Sequence, residues 1–207
     1  MMLRGDTSRR KADFPVRAHS DGRPIRERAR LYSSMRMKVR VDSLEYKCWH
    51  EVGHATVCLH LGGDIDFIEF LDGDARGHAR TRCEPTPGDE RSVACGGFAA
   101  EFYLLKIGYA EQAPDDKRDI GLVPYDSAVI DCLDFWGRKL ETYKDGFTET
   151  ETEEFVNHAI GSDGNGGVVP IIAQHFSGMQ QLVRELCESK FVQGGRVKEL
   201  LGFAVPR

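Results

Sequence analysis

Residues 50–54 read His-Glu-Val-Gly-His. Two histidines four apart project from one face of a helix, one turn apart, and each can give a ring nitrogen to a shared zinc ion at about 2.0–2.1 Å. Glu51 reaches the open side of such a metal. There zinc lowers the pKa of a bound water to about 7, and a nearby carboxylate can take its proton during attack on a peptide carbonyl and pass it to the leaving amine. The pattern predicts a zinc metallopeptidase with His50 and His54 as ligands and Glu51 as general base. The competing reading is a pair of core histidines satisfied by ordinary hydrogen bonds, although paired imidazoles on a buried helix are costly without a partner.

The third ligand decides the class. His60 lies ten residues after His50, the spacing of the metzincin motif His-Glu-x-x-His-x-x-Gly-x-x-His. The glycine that turns the chain in that motif is Val57 here, so the helix continues. On a continuous helix His60 sits about 120° around and about 9 Å along from His54, too far to share the metal.

The element that must carry these residues begins at Asp42-Ser43-Leu44-Glu45, which reads as a capping box with Asp42 at the cap. The helix runs to about Leu61, where Gly62-Gly63 supplies the stop. Leu44, Cys48, Val52, Ala55 and Leu59 form one stripe, and His50, His54, Val57 and Leu61 another; a helix apolar on two sides is buried on both. Two short strands follow, Ile65–Leu71 and Ala75–Cys83, divided by Asp72-Gly73-Asp74. Helices are expected at Glu90–Ile107, Ser127–Tyr143, Glu149–Ile160, Ile171–Ser189 and Gly195–Leu201, with a Gly-rich loop at Gly161–Gly167. Gly96-Gly97 lowers helix propensity inside the second helix, which a close helix crossing would justify. The expected fold is mainly α with a small β-sheet or hairpin, the zinc helix packed against a helical bundle.

The net charge of -5 hides an asymmetry. Residues 1–40 carry 12 Lys/Arg against 4 Asp/Glu, and the remainder 16 against 29. A basic, flexible arm (residues 1–41) therefore precedes an acidic domain (residues 42–207). Such an arm can touch nucleic acid, acidic lipid or the acidic body itself, but no aromatic interleaving or recognition helix supports nucleic-acid binding. The six cysteines include no Cys-x-x-Cys pair, which argues against a structural zinc ribbon. No stretch approaches the roughly 20 apolar residues that span a bilayer, and no apolar run follows the basic start as in a secretory signal. A reducing, cytoplasmic setting is expected.

These residues resemble the peptidase domain of the FtsH family of ATP-dependent zinc proteases. Its zinc helix reads His-Glu-Ala-Gly-His-Ala, against His50-Glu51-Val52-Gly53-His54-Ala55 here. A strand with a Gly-Tyr-Thr-like stretch is similar to Gly77-His78-Ala79-Arg80-Thr81, and a Gly-Gly-x-Ala-Ala-Glu helix is matched by Gly96-Gly97-Phe98-Ala99-Ala100-Glu101. Leu186–Lys190 through Val197–Leu201 resembles the family's last two helices. The resemblance covers about residues 44–202, and its first and third motifs together are fairly specific.

The resemblance implies an aspartate as third zinc ligand, beginning a helix after the Ala-Ala-Glu helix. Asp116 gives nearly the family's loop length and is the first choice. Asp119, followed by Ile120, is the alternate, and Asp126 needs a longer insertion. Glu101 has a counterpart in the family that is not a ligand. The Gly77–Thr81 strand, with Gly77, His78 and Ala79, is the implied edge for an extended substrate. No phosphate loop and no transmembrane anchor precede the motif, so the expected substrates are flexible segments, peptides or proteins presented by a separate partner. The family forms hexameric rings, which makes a homo-oligomer an expectation, though the ATPase module supports much of that assembly. The alternative function is a zinc-bound regulatory or binding module of the same fold that does not cleave.

Overall fold

The computed structural model describes residues 38–71, 78–140 and 146–204, across which the protein is mainly helical with small sheets. The basic arm through residue 37, the expected turn at Asp72-Gly73-Asp74, and Gly77 lie outside the described residues. Order starts earlier than expected. Strand β1 (Val39–Arg40) pairs in parallel with β4 (Ala110–Glu111), so the folded body claims residues assigned above to the arm.

Helix α1 (Leu44–His60) follows a tight turn in which Ser43 N donates to Arg40 O. That turn places Asp42 at φ 62 and sends its carboxylate to Arg118. The cap therefore moves by one residue: Ser43 Oγ accepts from Tyr46 N at 3.1 Å, and the Asp42/Glu45 capping box does not form. The predicted stop holds, with Leu61 N donating to Val57 O and Gly62 at φ 88.

Strand β2 (Asp64–Leu71) lies between β3 (His78–Glu84) and β5 (Phe191–Gln193), antiparallel to both. Ile68 stands opposite Thr81 on one side and Val192 on the other. β3 is thus an edge strand. β5 was not expected; three residues between two helices carry too little alternation to read.

The expected helix 90–107 is two: α2 (Glu90–Ala94) and α3 (Gly96–Lys106). The expected helix 127–143 is also broken, into α4 (Val123–Ser127) and α5 (Val129–Phe135), and Gly137 at φ 62 turns the chain just beyond Trp136. Helix α6 (Glu149–Ile160) has the expected bounds, with a Thr148/Glu151 capping box. Helices α7 (Val169–Ser189) and α8 (Gly194–Leu201) complete the order.

Helix α1 packs against α3, α7 and the sheet, which is why both of its stripes are apolar. Trp49 stacks on Phe176 of α7 at 5.1 Å between ring centroids. On its other side α1 crosses α3 so closely that a Cβ at Gly53 would lie 2.3 Å from Gly96 O. This contact explains why the Gly-Gly pair interrupts a helix it should disfavour. No helix among the described residues is long and apolar enough to cross a membrane.

Candidate metal centre

The i, i+4 spacing on α1 brings His50 Nε2 and His54 Nε2 to 3.2 Å. A third donor joins them: Asp131 Oδ1, on the first turn of α5, is 3.3 Å from His50 Nε2 and 3.4 Å from His54 Nε2. Zinc–ligand bonds of about 2.0–2.1 Å at tetrahedral angles place donors about 3.3–3.4 Å apart. The three separations match that edge length. Among the described residues this is the cluster of His, Cys, Asp or Glu side chains able to hold a metal ion.

Hydrogen bonding on the far side of each ring sharpens the argument. His54 Nδ1 lies 2.8 Å from Val93 O, which can only accept, so Nδ1 carries the proton. His50 Nδ1 lies 2.8 Å from Glu101 Oε1. Glu101, buried on α3, also receives the Tyr46 hydroxyl at 3.1 Å and the Ser127 hydroxyl at 2.7 Å on Oε2. With both Nδ1 protons committed outward, neutral rings aim two Nε2 lone pairs at each other and at a carboxylate. Three acceptors would then converge. They need either protons drawn onto the rings by Asp131 or a metal cation, and a metal with nitrogen and oxygen ligands satisfies all three at once.

The titration behaviour of the metal-free cluster follows from the same crowding. Burial pulls the His50 and His54 rings down, but the charge and hydrogen bond of Asp131 outweigh it, raising His54 to about 9 and His50 well above its ordinary value. Burial pushes Asp131 up, and the two rings more than reverse this, holding its carboxyl well below the usual range. Asp131 is further anchored through Oδ2, which accepts from Phe98 N at 3.3 Å. Gly97 is part of this fit, since a Cβ there would lie 2.4–2.6 Å from three ring atoms of His50.

Glu51 projects from α1 into the same cleft, about 620 Å³ in volume, an ordinary size for a ligand site. Burial raises its carboxyl above the usual range, with both rings opposing. Thr81 of β3 ties it down, the hydroxyl standing 2.9 Å from Glu51 O and 3.0 Å from Oε2. Three donors of the zinc set would leave a fourth tetrahedral position open, and a carboxyl made more basic by burial beside it suits a general base.

The expected third ligands are elsewhere. Asp116 is held by Arg118, whose Nε is 3.1 Å from both carboxylate oxygens, and the guanidinium lowers its carboxyl to about 2. Asp119 caps a 3-10 turn at Ile120–Leu122, accepting from Gly121 N at 2.9 Å. Asp126 faces the same Arg118 at 3.6 Å. The reason is electrostatic. Arg118 draws in Asp42, Asp116 and Asp126, and the carboxylate that meets the histidines is the buried Asp131. His60, as expected, is not at the site; its Nδ1 lies 3.1 Å from His175 Nε2. Of the implied substrate edge, Gly77 lies outside the described residues, and His78 and Ala79 are the first residues of β3.

Two functional residues went unread in the sequence. Asp131 is the acidic member of a buried face that includes Ala128, Cys132 and Phe135, a break in an apolar stripe that could have flagged it. Glu101 was recognised as a family position but not as the partner of His50. No family model matches the chain, and no curated protein matches it.

Proposed function

We propose that the chain is a zinc-dependent endopeptidase of the FtsH-peptidase type, acting on flexible or unfolded protein segments. The observation that carries this reading is the convergence of His50 Nε2, His54 Nε2 and Asp131 Oδ1 at tetrahedral-edge distances beside a buried Glu51. Asp131 lies in the first turn of a helix downstream of the Ala-Ala-Glu helix, similar to the position the resemblance implies for the third ligand, although a 3-10 turn and α4 intervene.

Held by His50, His54 and Asp131, zinc would supply Lewis-acid chemistry in the cleft. Glu51 then takes the proton of the attacking water and returns it to the leaving amine. Thr81 fixes the Glu51 carboxylate and, being on edge strand β3, ties the base to the strand along which an extended segment would pair. Such pairing selects backbone that is already extended, which favours unfolded chains over compact domains. All six cysteines are free, in keeping with a reducing, cytoplasmic setting.

The test is Glu51→Gln. The variant should keep zinc and lose cleavage of casein; undiminished cleavage would remove Glu51 from its role. A zinc-loaded wild-type protein inert towards unfolded substrates but bound to a partner protein would instead support the non-cleaving module.

A further inference from the structure

Helix α1 ends on His60, which takes no part in the first centre. Exposed at the surface, His60 sets its Nδ1 3.1 Å from Nε2 of His175 on α7. The two rings meet edge to face, 5.3 Å between centroids at 74°.

The far side of His175 is fixed. Its Nδ1 lies 3.3 Å from Leu201 O at the end of α8. A carbonyl can only accept, so Nδ1 carries the proton and Nε2 keeps its lone pair. The ring also stacks on Phe203 at 4.9 Å and 27°. Burial pulls His175 below its ordinary value, which keeps the ring neutral and able to act as a ligand near neutral pH. The chain builds this support from two glycines. Gly202 at φ 80 stops α8, and Phe203 N then donates to Lys198 O at 2.8 Å, leaving the Leu201 carbonyl to a side chain. Gly178 lets α7 come close enough to use it, since a Cβ there would lie 2.6 Å from Leu200 O.

The outcome is a histidine backed by a carbonyl and aimed outward, the arrangement in which a ring ligates metal. His54 is backed by Val93 O in the same way. Two nitrogens 3.1 Å apart, on metal bonds of about 2.0–2.1 Å, subtend about 100°. That angle falls between the octahedral and tetrahedral values. In the metal-free chain His60 Nδ1–H donates to His175 Nε2. A cation can replace this bond without releasing a proton: neutral His60 shifts its proton to Nε2 and presents Nδ1 instead. No third His, Cys, Asp or Glu among the described residues joins the pair, so water completes the coordination.

We propose that His60 and His175 form a second metal site, a two-imidazole site completed by water, which takes a borderline divalent ion such as zinc and ties the end of α1 to α7. Imidazole donors favour zinc, copper or nickel over magnesium or calcium. With one ligand fewer than the first centre, the site binds more weakly and empties on gel filtration. The inference does not depend on the peptidase reading.

Full-length protein is titrated with zinc near neutral pH by calorimetry. A second zinc per chain is expected, bound at least about tenfold more weakly than the first, while magnesium gives no such step. His60→Ala and His60→Gln, both at an exposed position, should lose the second step and keep the first. A single zinc per wild-type chain overturns the site, and so does a second zinc that survives both substitutions. A further measurement needs no substitution. Long-range proton–nitrogen correlation spectra of the imidazoles are recorded on wild-type protein with the first zinc bound. The second equivalent should shift His60 Nδ1 and His175 Nε2 together and move the His60 proton from Nδ1 to Nε2. A second zinc that leaves either nitrogen in place overturns the shared coordination.

Discussion

His50 Nδ1 and Glu101 Oε1 lie 2.8 Å apart although 51 residues separate them in the chain. The pairing fixes the ring's tautomer and turns Nε2 towards Asp131. A carboxylate behind a ligating histidine raises the basicity of the ring and orients it. Glu101→Gln keeps the shape, but its amide must either face His50 Nδ1 or confront the Tyr46 and Ser127 hydroxyls that now donate to Oε2. Zinc affinity is expected to fall by about 10–100-fold with the helical content retained. Competition against a chromophoric chelator, alongside circular dichroism, measures both.

The choice of aspartate has its own test. Asp131→Asn removes the charge that meets both rings, and the purified protein should hold well under one zinc per chain. Asp116→Asn loosens an exposed contact with Arg118 and should leave zinc content unchanged. Zinc per chain by atomic absorption separates the two, and the reverse pattern would return the role to Asp116.

What the sequence made legible followed from spacing. The His50–His54 pair needs only helical geometry, which a buried two-sided helix guarantees. Val57 in place of glycine was enough to set His60 aside, and its side chain lies with His175 instead. The expected bounds of α6 match the structure, which adds a Thr148/Glu151 capping box at its start. The third ligand did not follow, because loop length is a poor guide when a segment is broken into short helices: the break at Ala128 between α4 and α5 presents Asp131 where one continuous helix would have implied a different face. Asp42 was misplaced for a similar reason. The pairing of β1 with β4, a tertiary contact, fixes the turn before α1 and overrides the local preference for a capping box.

The two helices meet through glycine, and each glycine protects something different. A methyl at Gly53 would press on the backbone of α3, 2.3 Å from Gly96 O and 2.9 Å from Gly96 C. Backbone cannot rotate aside, so Gly53→Ala should destabilise the fold by about 1–3 kcal/mol, read as a lower urea midpoint. A methyl at Gly97 would instead meet the imidazole of His50 at 2.4–2.6 Å. A ring can swing away. Gly97→Ala should therefore cost zinc more than stability, with metal content falling before the unfolding midpoint does. Equal losses in both variants would mean that the crossing serves packing alone.

Acidity should separate the metal-free from the zinc-loaded protein. In the metal-free chain burial opposes the charged form of His54, yet Asp131 raises the ring from its ordinary 6.5 to about 9. A raised imidazole contributes stability that is fully present below pH 6.5 and is lost as pH climbs through about 9. Asp131 itself, held well below the usual carboxylate range, stays ionised throughout that window and does not alter the sign. Zinc binds only the unprotonated rings and so competes with the protons that Asp131 attracts. Its added stabilisation should accordingly grow over the interval in which the metal-free protein weakens. Urea unfolding at pH 6.5, 7.5 and 9, in chelator and at fixed free zinc, should give midpoints that diverge as pH rises. Parallel curves would show that His54 does not exchange a proton for the metal, and the shared site would have to be abandoned.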